Sequence, residues 1–368
     1  MRTLTAWYNK PADRDRSTWA SILVVSVLGL RSDLDVQPNY QGSFLTLSQD
    51  KTRLANYCLR NAQSAMPEVV TRADDLTGIR VLLALTAVYL ATCDLAPASV
   101  LVGSAIRLAH RLHLHAKESE QFFNAQENSE RARVFWIAYI YDKVAIPLTH
   151  LVKNQEMLTS PQAISLRGRM PSTQLDADID IPIPPATPAD GAGLIHTLDG
   201  RAALNVFRLR VNLAHIEGKV HDLLYSNRAS KIPSPERQQR VAALQAMLDR
   251  WYGGIPYIFR LGNISPLLVS PSDLVEVTLL YHAYLLCLVS IHGIYSFQAD
   301  WMGRVGSLAR AAVEDYARSM HGIGGHGVSC TGHEEAPPGL SGWQRCLEVS
   351  RGCMRLFHET RLTERLLW

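Results

Sequence analysis

The sequence contains no Cys-x-x-Cys pair, although it holds six cysteines in 368 residues. Cys58, Cys93, Cys287, Cys330, Cys346 and Cys353 are scattered, so neither a zinc site nor a thioredoxin-like motif is readable. Scatter of this kind fits free, mostly buried thiols in a reducing compartment. An excess of one charge is also missing. The 37 basic and 34 acidic side chains leave a formal net charge of +3, which is no electrostatic footprint for nucleic acid. There is no P-loop, no G-x-G-x-x-G after a strand and no G-x-S-x-G elbow. Nothing assembles the serines and histidines into a triad.

No apolar run reads as a membrane span. The stretch Ser21–Leu30 follows Asp13 and Asp15 and is succeeded by Arg31-Ser32-Asp33, with no small-residue cleavage site of a signal peptide. The run Val81–Cys93 is too short to cross a bilayer. Val277–Tyr295 is longer, but His282, Ser290 and His292 interrupt it, and it reads as a core helix.

What is present is a soluble globular composition, 47% hydrophobic and 19% charged. Helical periodicity dominates. Ala105, Leu108, Ala109 and Leu112 share one face, as do Leu244, Met247, Leu248 and Trp251. Ser234-Pro235 and Ser270-Pro271 each read as an N-cap followed by a first-turn proline. Helices are expected near residues 17–30, 50–65, 75–93, 97–114, 129–146, 200–226, 236–251, 272–297, 301–321 and 341–358. No substantial sheet is expected. The fold class is therefore all-α, with a first helical half over 17–160 and a second over 196–358. Between them residues 160–195, carrying Pro161, Pro171, Pro182, Pro184, Pro185 and Pro188, are expected to cross the surface as an extended connection. The Gly-rich residues 321–342 read as a flexible loop.

Several constellations invite a chemical reading. His110, His113 and His115 cluster at a helix end, where histidines also serve the helix dipole. His321, His326, Cys330, His333 and Glu334 have metal-ligand chemistry but no recognisable spacing. Asp176, Asp178 and Asp180 alternate, and Asp74-Asp75 begins a helix as a cap, without the third carboxylate of a diphosphate site. Solvated or structural roles are the better reading for each, and no catalytic, cofactor or metal residue is assigned. Phe135, Trp136 and Tyr139 read as a bulky anchor in the core, and Arg133 reads as a candidate partner of Asp142.

Three stretches, in order, resemble the middle homology region of fungal zinc-cluster transcription factors. The first is Ala105-Ile106-Arg107-Leu108-Ala109 followed by Leu112-His113-Leu114-His115, with His113 where the family has glycine. The second is Glu130-Arg131-Ala132-Arg133-Val134-Phe135-Trp136, then Tyr139 and Asp142-Lys143. The third is Gly168-Arg169-Met170-Pro171, followed by Asp178, Asp180 and Pro184. Further on, Leu248, Trp251 and Ile255-Pro256 resemble the family's L-x-x-W…L-P, and Tyr281–Ile291 its long apolar helix.

The resemblance implies an all-α regulatory fold and a nuclear or cytoplasmic transcriptional regulator of small-molecule metabolism. It would work through protein partners of the transcription machinery, a homodimer or a small-metabolite effector, with no direct DNA binding by this chain. The rival reading is an enzyme or ligand-binding protein of a biosynthetic pathway on the same scaffold. Zinc is expected only if a six-cysteine cluster precedes Met1. A coding sequence that has lost its 5′ end and a partner or decoy without a DNA-binding module both fit. Residues Val144–Gln162 separate Asp142-Lys143 from the Ala163–Arg169 motif by 19 residues more than the family spacing. Removing them restores DKAISLRGRMP, which suggests a retained short intron; a surface-loop insertion is the alternative.

Overall fold

A computed structural model describes residues 15–32, 44–72, 75–92, 94–152, 172–293 and 340–360, with isolated positions between 303 and 310. The helices are α1 (Arg16–Ser32), α2 (Phe44–Ser64), α3 (Met66–Arg72), α4 (Leu76–Ala91), α5 (Leu95–Arg111) and α6 (Ala125–Val152). They continue as α7 (Val206–Val220), α8 (Ser234–Gly253), α9 (Pro271–Gly293) and α10 (Leu340–Thr360). The protein is all-α. Gly168, Arg169 and Pro171 lie outside the described residues, as do most of the 301–321 helix and all of the 321–342 loop except its last three positions, which open α10. Of Val144–Gln162, residues through Val152 continue α6 and the rest lie outside the described residues.

The chain divides into two compact units. Among the described residues the first runs to Ile195 and includes Asn205–His215; the second holds His196–Leu204 and Ile216–Thr360. In the first unit α1 packs on α2 and α4, and α4 packs on α5 and α6. Its core joins Val24 and Val27 of α1, Leu82 and Leu85 of α4, Ile106 and Ala109 of α5, and Phe135, Ala138 and Tyr139 of α6. In the second unit α9 packs on α10 and α8. By length and composition α9 could cross a membrane. Its apolar face is covered instead: Leu274, Val277, Tyr281, Tyr284, Leu288 and Ile291 are buried. There Trp251 stacks on Tyr284 with ring centroids 5.5 Å apart, and Tyr252 on Tyr284 at 5.4 Å.

Helix ends follow local chemistry. Asp75 caps α4, its carboxylate accepting from the Thr77 and Gly78 amides at 3.1 and 3.3 Å. Ser270 caps α9 through the Asp273 amide at 3.2 Å. Ser234 differs from expectation. It is the first helical residue of α8, its side chain makes no cap, and the Pro233 carbonyl accepts from Arg237 at 3.1 Å. As expected, no substantial sheet occurs among the described residues: Leu194–His196 pairs with Ala203–Asn205 as two short strands. Asp199-Gly200 makes the turn, with Gly200 at φ +69° and the Asp199 carboxylate accepting from Thr197 Oγ1 at 2.6 Å. That pairing displaces the start of the helix expected at 200 to Val206.

The end of α5 explains the family's glycine. The Leu114 amide donates to the Ala109 carbonyl at 2.9 Å and the His113 amide to the His110 carbonyl at 2.9 Å. This pair of bonds requires the residue between them to be left-handed, and His113 has φ +54°. Only glycine takes that conformation without a Cβ penalty. His113→Gly is therefore expected to stabilise the protein by up to about 1 kcal/mol. The check is the midpoint of urea unfolding, which an unstrained His113 would leave unmoved or lower.

Candidate functional site

The polar and charged side chains of the first unit converge on α6 and the extended strap, residues 172–190, that lies along it. α6 begins with a reciprocal cap. The Asn124 side chain accepts from the Glu127 amide at 2.9 Å, and the Glu127 carboxylate accepts from the Asn124 amide at 3.1 Å. From there its successive turns aim Arg133, Trp136, Tyr139, Asp142 and Lys143 at the strap.

Asp142 and Lys143 are 4% and 3% exposed, the most deeply buried ion pair described. Burying charge is costly unless every lone pair and proton finds a partner. Here they do. The Asp142 carboxylate accepts from the Thr173 amide at 3.0 Å, the Gln174 amide at 3.1 Å and the Ser172 hydroxyl. Lys143 Nζ donates to Ser172 Oγ at 2.5 Å and the Gln174 carbonyl at 2.7 Å, and lies 3.6 Å from Asp176. Tyr139 donates to Asp176 at 2.8 Å, and His215 Nδ1 stands 3.2 Å from its other oxygen. Next along the strap, Trp136 Nε1 donates to the Pro182 carbonyl at 3.1 Å, and Arg208 donates to that of Pro184. Arg133 closes the strap onto Asp190. The network pins a proline-rich segment that cannot pin itself, because prolines have no N–H to donate.

The Arg133–Asp142 pairing expected from the sequence does not form. Nine residues along α6 separate the two by about 13.5 Å, so each side chain meets a different stretch of the strap. Arg133 instead bonds Asp190 and Ser129, and Asp142 faces Lys143 and Ser172. Of the other flagged positions among the described residues, most are buried. Ala105, Ala109 and Leu114 are core; Arg107 is exposed; Phe135 is buried; Trp251 lies in the second unit beneath Tyr284. His115 is half-buried, and its carbonyl accepts from the Asp180 amide at 2.9 Å. Its ring sits 4.7 Å from His110 and 6.2 Å from His113, while His110 bonds Gln174. Burial, then repulsion from His110 and His113, against the pull of Asp178, lowers the His115 pKa. No group of three His, Cys, Asp or Glu side chains is placed to hold a metal ion among the described residues, where Cys58, Cys287, Cys346 and Cys353 are all buried. The sequence signalled Asp142 and Lys143 through the motif, but not Ser172, Gln174 or His215, which come from distant parts of the chain.

Burial works against the Asp176 charge. The hydrogen bonds from His215 and Tyr139 and the Lys143 charge outweigh it and hold the carboxyl well below the usual range. A depressed carboxylate contributes stability above its unfolded pKa and loses it as pH falls. Stability is therefore expected to drop from about pH 5 downward, with Asp176→Asn flattening that limb by about one proton. Urea titrations at pH 3 to 6 check this; an unchanged slope in the variant would refute it.

Two clefts flank the N-terminal half of α6, both within the first unit. One, about 750 Å³, lies between α6 and the strap and is lined by Ala132, Arg133, Trp136, Pro182, Pro184 and Phe207, among others. The other, about 830 Å³, lies between the start of α4, the turn after α5, a short 3-10 helix (Lys117–Phe122) and α6. Both fall in the size range of small-molecule sites.

Residues 15–146, which build the core helices, the second cleft and much of the first, match the sequence profile of the fungal specific transcription factor domain. The chain carries a fungal specific transcription factor domain. Over 309 residues, 84% of the chain, it is 31% identical to an ABC-transporter-regulating transcription factor of Aspergillus fumigatus. A transcription factor of the same description from Aspergillus oryzae is 30% identical over the same share. The Fusaridione A cluster transcription factor of Fusarium heterosporum is 30% identical over 193 residues, 52% of the chain and 32% of that protein. The chain spans only 31% of the length of the two Aspergillus relatives. No solved structure matches it. The 309-residue similarity reaches beyond 15–146, and the strap is held by Trp136 and Asp142 inside the matched segment.

Proposed function

We propose that this chain is the effector and interaction portion of a fungal transcriptional regulator, acting in the nucleus on genes of small-molecule metabolism or efflux. The observation that carries the reading is the similarity over 84% of the chain to regulators named for ABC-transporter control. The regulator acts through protein partners, with a small metabolite as effector. The two α6 clefts support the effector role, because each places apolar walls beside a few polar groups. The chain does not itself read DNA: its basic and acidic side chains nearly balance, and base-specific readout needs a basic face that holds a reading element in a groove.

The test is a fusion of the full chain to an unrelated DNA-binding module in a fungal reporter strain. The reporter is expected to change severalfold, and a mobility-shift assay of the unfused chain to show no sequence-dependent shift. A fusion that accumulates in the nucleus and leaves the reporter unchanged, with or without added small molecules, would sink the regulatory reading. A sequence-specific shift at physiological salt would overturn the DNA claim.

A further inference from the structure

The 830 Å³ cleft has an unusual lining. Leu76, Leu112 and Ala116 form apolar wall, and Phe122 and Phe123 stand at its edge. Phe122 is 74% exposed, a large apolar ring left in solvent beside a cavity. Around these lie four carboxylates, Asp75, Glu118, Glu127 and Glu130, one guanidinium, Arg131, and the imidazole of His113.

Most of these charges are already placed, and the accounting decides the ligand. Arg131 is buried, donates to the Leu112 carbonyl at 2.7 Å and lies 3.9 Å over the Phe123 ring. It is committed to the wall and is not presented to an anion. Glu130 is paired with Arg80 at 2.7 Å. Asp75 covers the positive end of α4, which would otherwise favour an anion. Setting Arg131 and Arg80 against the four carboxylates leaves a formal excess of two negative charges. Lys117 and Arg111 neighbour the cleft in sequence but do not line it. Glu118 is exposed, and Glu127 gives one oxygen to its own helix cap while its charge also faces that of Arg131. Phe123 already holds one cation against its face, and the exposed Phe122 ring offers a second such surface.

We infer that this cleft binds a lipophilic organic cation of a few fused or linked rings, its apolar body on Phe122, Leu76 and Leu112 and its charge between Glu118 and Glu127. A neutral ligand would leave the two carboxylates without use. An anion would meet repulsion at the entrance. Only the biological use of the site rests on the effector reading above; binding is a property of the cleft.

The experiment uses the full chain and two dyes with the same xanthene core, cationic rhodamine 6G and anionic fluorescein, read by fluorescence anisotropy at physiological salt. Rhodamine 6G is expected to bind saturably, at least about tenfold tighter than fluorescein. Phe122→Ala and the double variant Glu118→Gln, Glu127→Gln are each expected to weaken it about tenfold. Glutamine keeps the capping role at position 127, so circular dichroism melting should be unchanged. Glu118→Lys, at an exposed position, should weaken it further. Equal binding of the two dyes, or cationic binding that survives these variants, overturns the inference. So does binding of a lysine-bearing amphipathic peptide on this face with no dye binding, since the cleft would then be a protein dock. Absent dye binding with an active reporter fusion sinks this inference alone. A silent reporter with intact dye binding sinks the regulatory reading alone.

Discussion

Asp142→Ala is expected to destabilise the protein by about 3–5 kcal/mol, the cost of leaving a buried charge and its donors without their partner. Lys143, 3% exposed, would keep only Asp176 as a counter-charge, at 3.6 Å. The Thr173 and Gln174 amides would lose their acceptor in a place with little access to water. Asp142→Asn should cost less, because an amide oxygen still accepts from one of the two amides. Urea unfolding of the three proteins measures the order. A loss below about 1 kcal/mol for the alanine variant would mean the strap is held by other contacts. The double variant Asp142→Ala, Lys143→Met should recover part of the loss, since removing both charges removes the unpaired one.

Trp136→Ala is expected to cost about 3–5 kcal/mol. Trp136 is 4% exposed and meets Phe135 and Tyr139 edge-on, each with ring centroids 5.4 Å apart. Truncation removes both aromatic contacts and the bond to the Pro182 carbonyl, and opens the wall of the strap cleft. Trp136→Phe separates the two effects: it keeps most of the packing and loses the indole N–H, and should cost about 1–2 kcal/mol. Thermal and urea unfolding of both variants give the comparison, and a Phe variant as unstable as the Ala variant would place the whole effect in the hydrogen bond.

The helices were legible because their signals are local. Apolar periodicity placed α5 and α8 to within about three residues at each end, while α6 runs past the expected 129–146 at both ends, and Asp75 and Ser270 marked two starts by cap chemistry alone. Ser234 did not, because a hydroxyl before proline is only an opportunity for a cap; the backbone of Pro233 took that place. The Asp199-Gly200 turn was a local signal passed over, since its strands are only three residues each. What the sequence could not give is the polar network. Ser172, Gln174 and Asp176 meet Asp142 and Lys143 across about thirty residues, and His215 arrives from a separate helix. No periodicity encodes such meetings, so Arg133 was assigned to the wrong carboxylate. The second cleft was equally hidden: its charges are unremarkable until Arg131 and Arg80 are seen to be already engaged.

The aromatic stack of α8 and α9 gives the molecule an optical label. Trp251, Tyr252 and Tyr284 lie within ring-to-ring distances of 5.5 and 5.4 Å in the second unit, while Trp136 sits between Phe135 and Tyr139 in the first. Each unit therefore owns a buried indole with its own aromatic neighbours. Near-ultraviolet ellipticity and indole fluorescence, compared between Trp136→Phe and Trp251→Phe proteins, would time-stamp the melting of each unit separately.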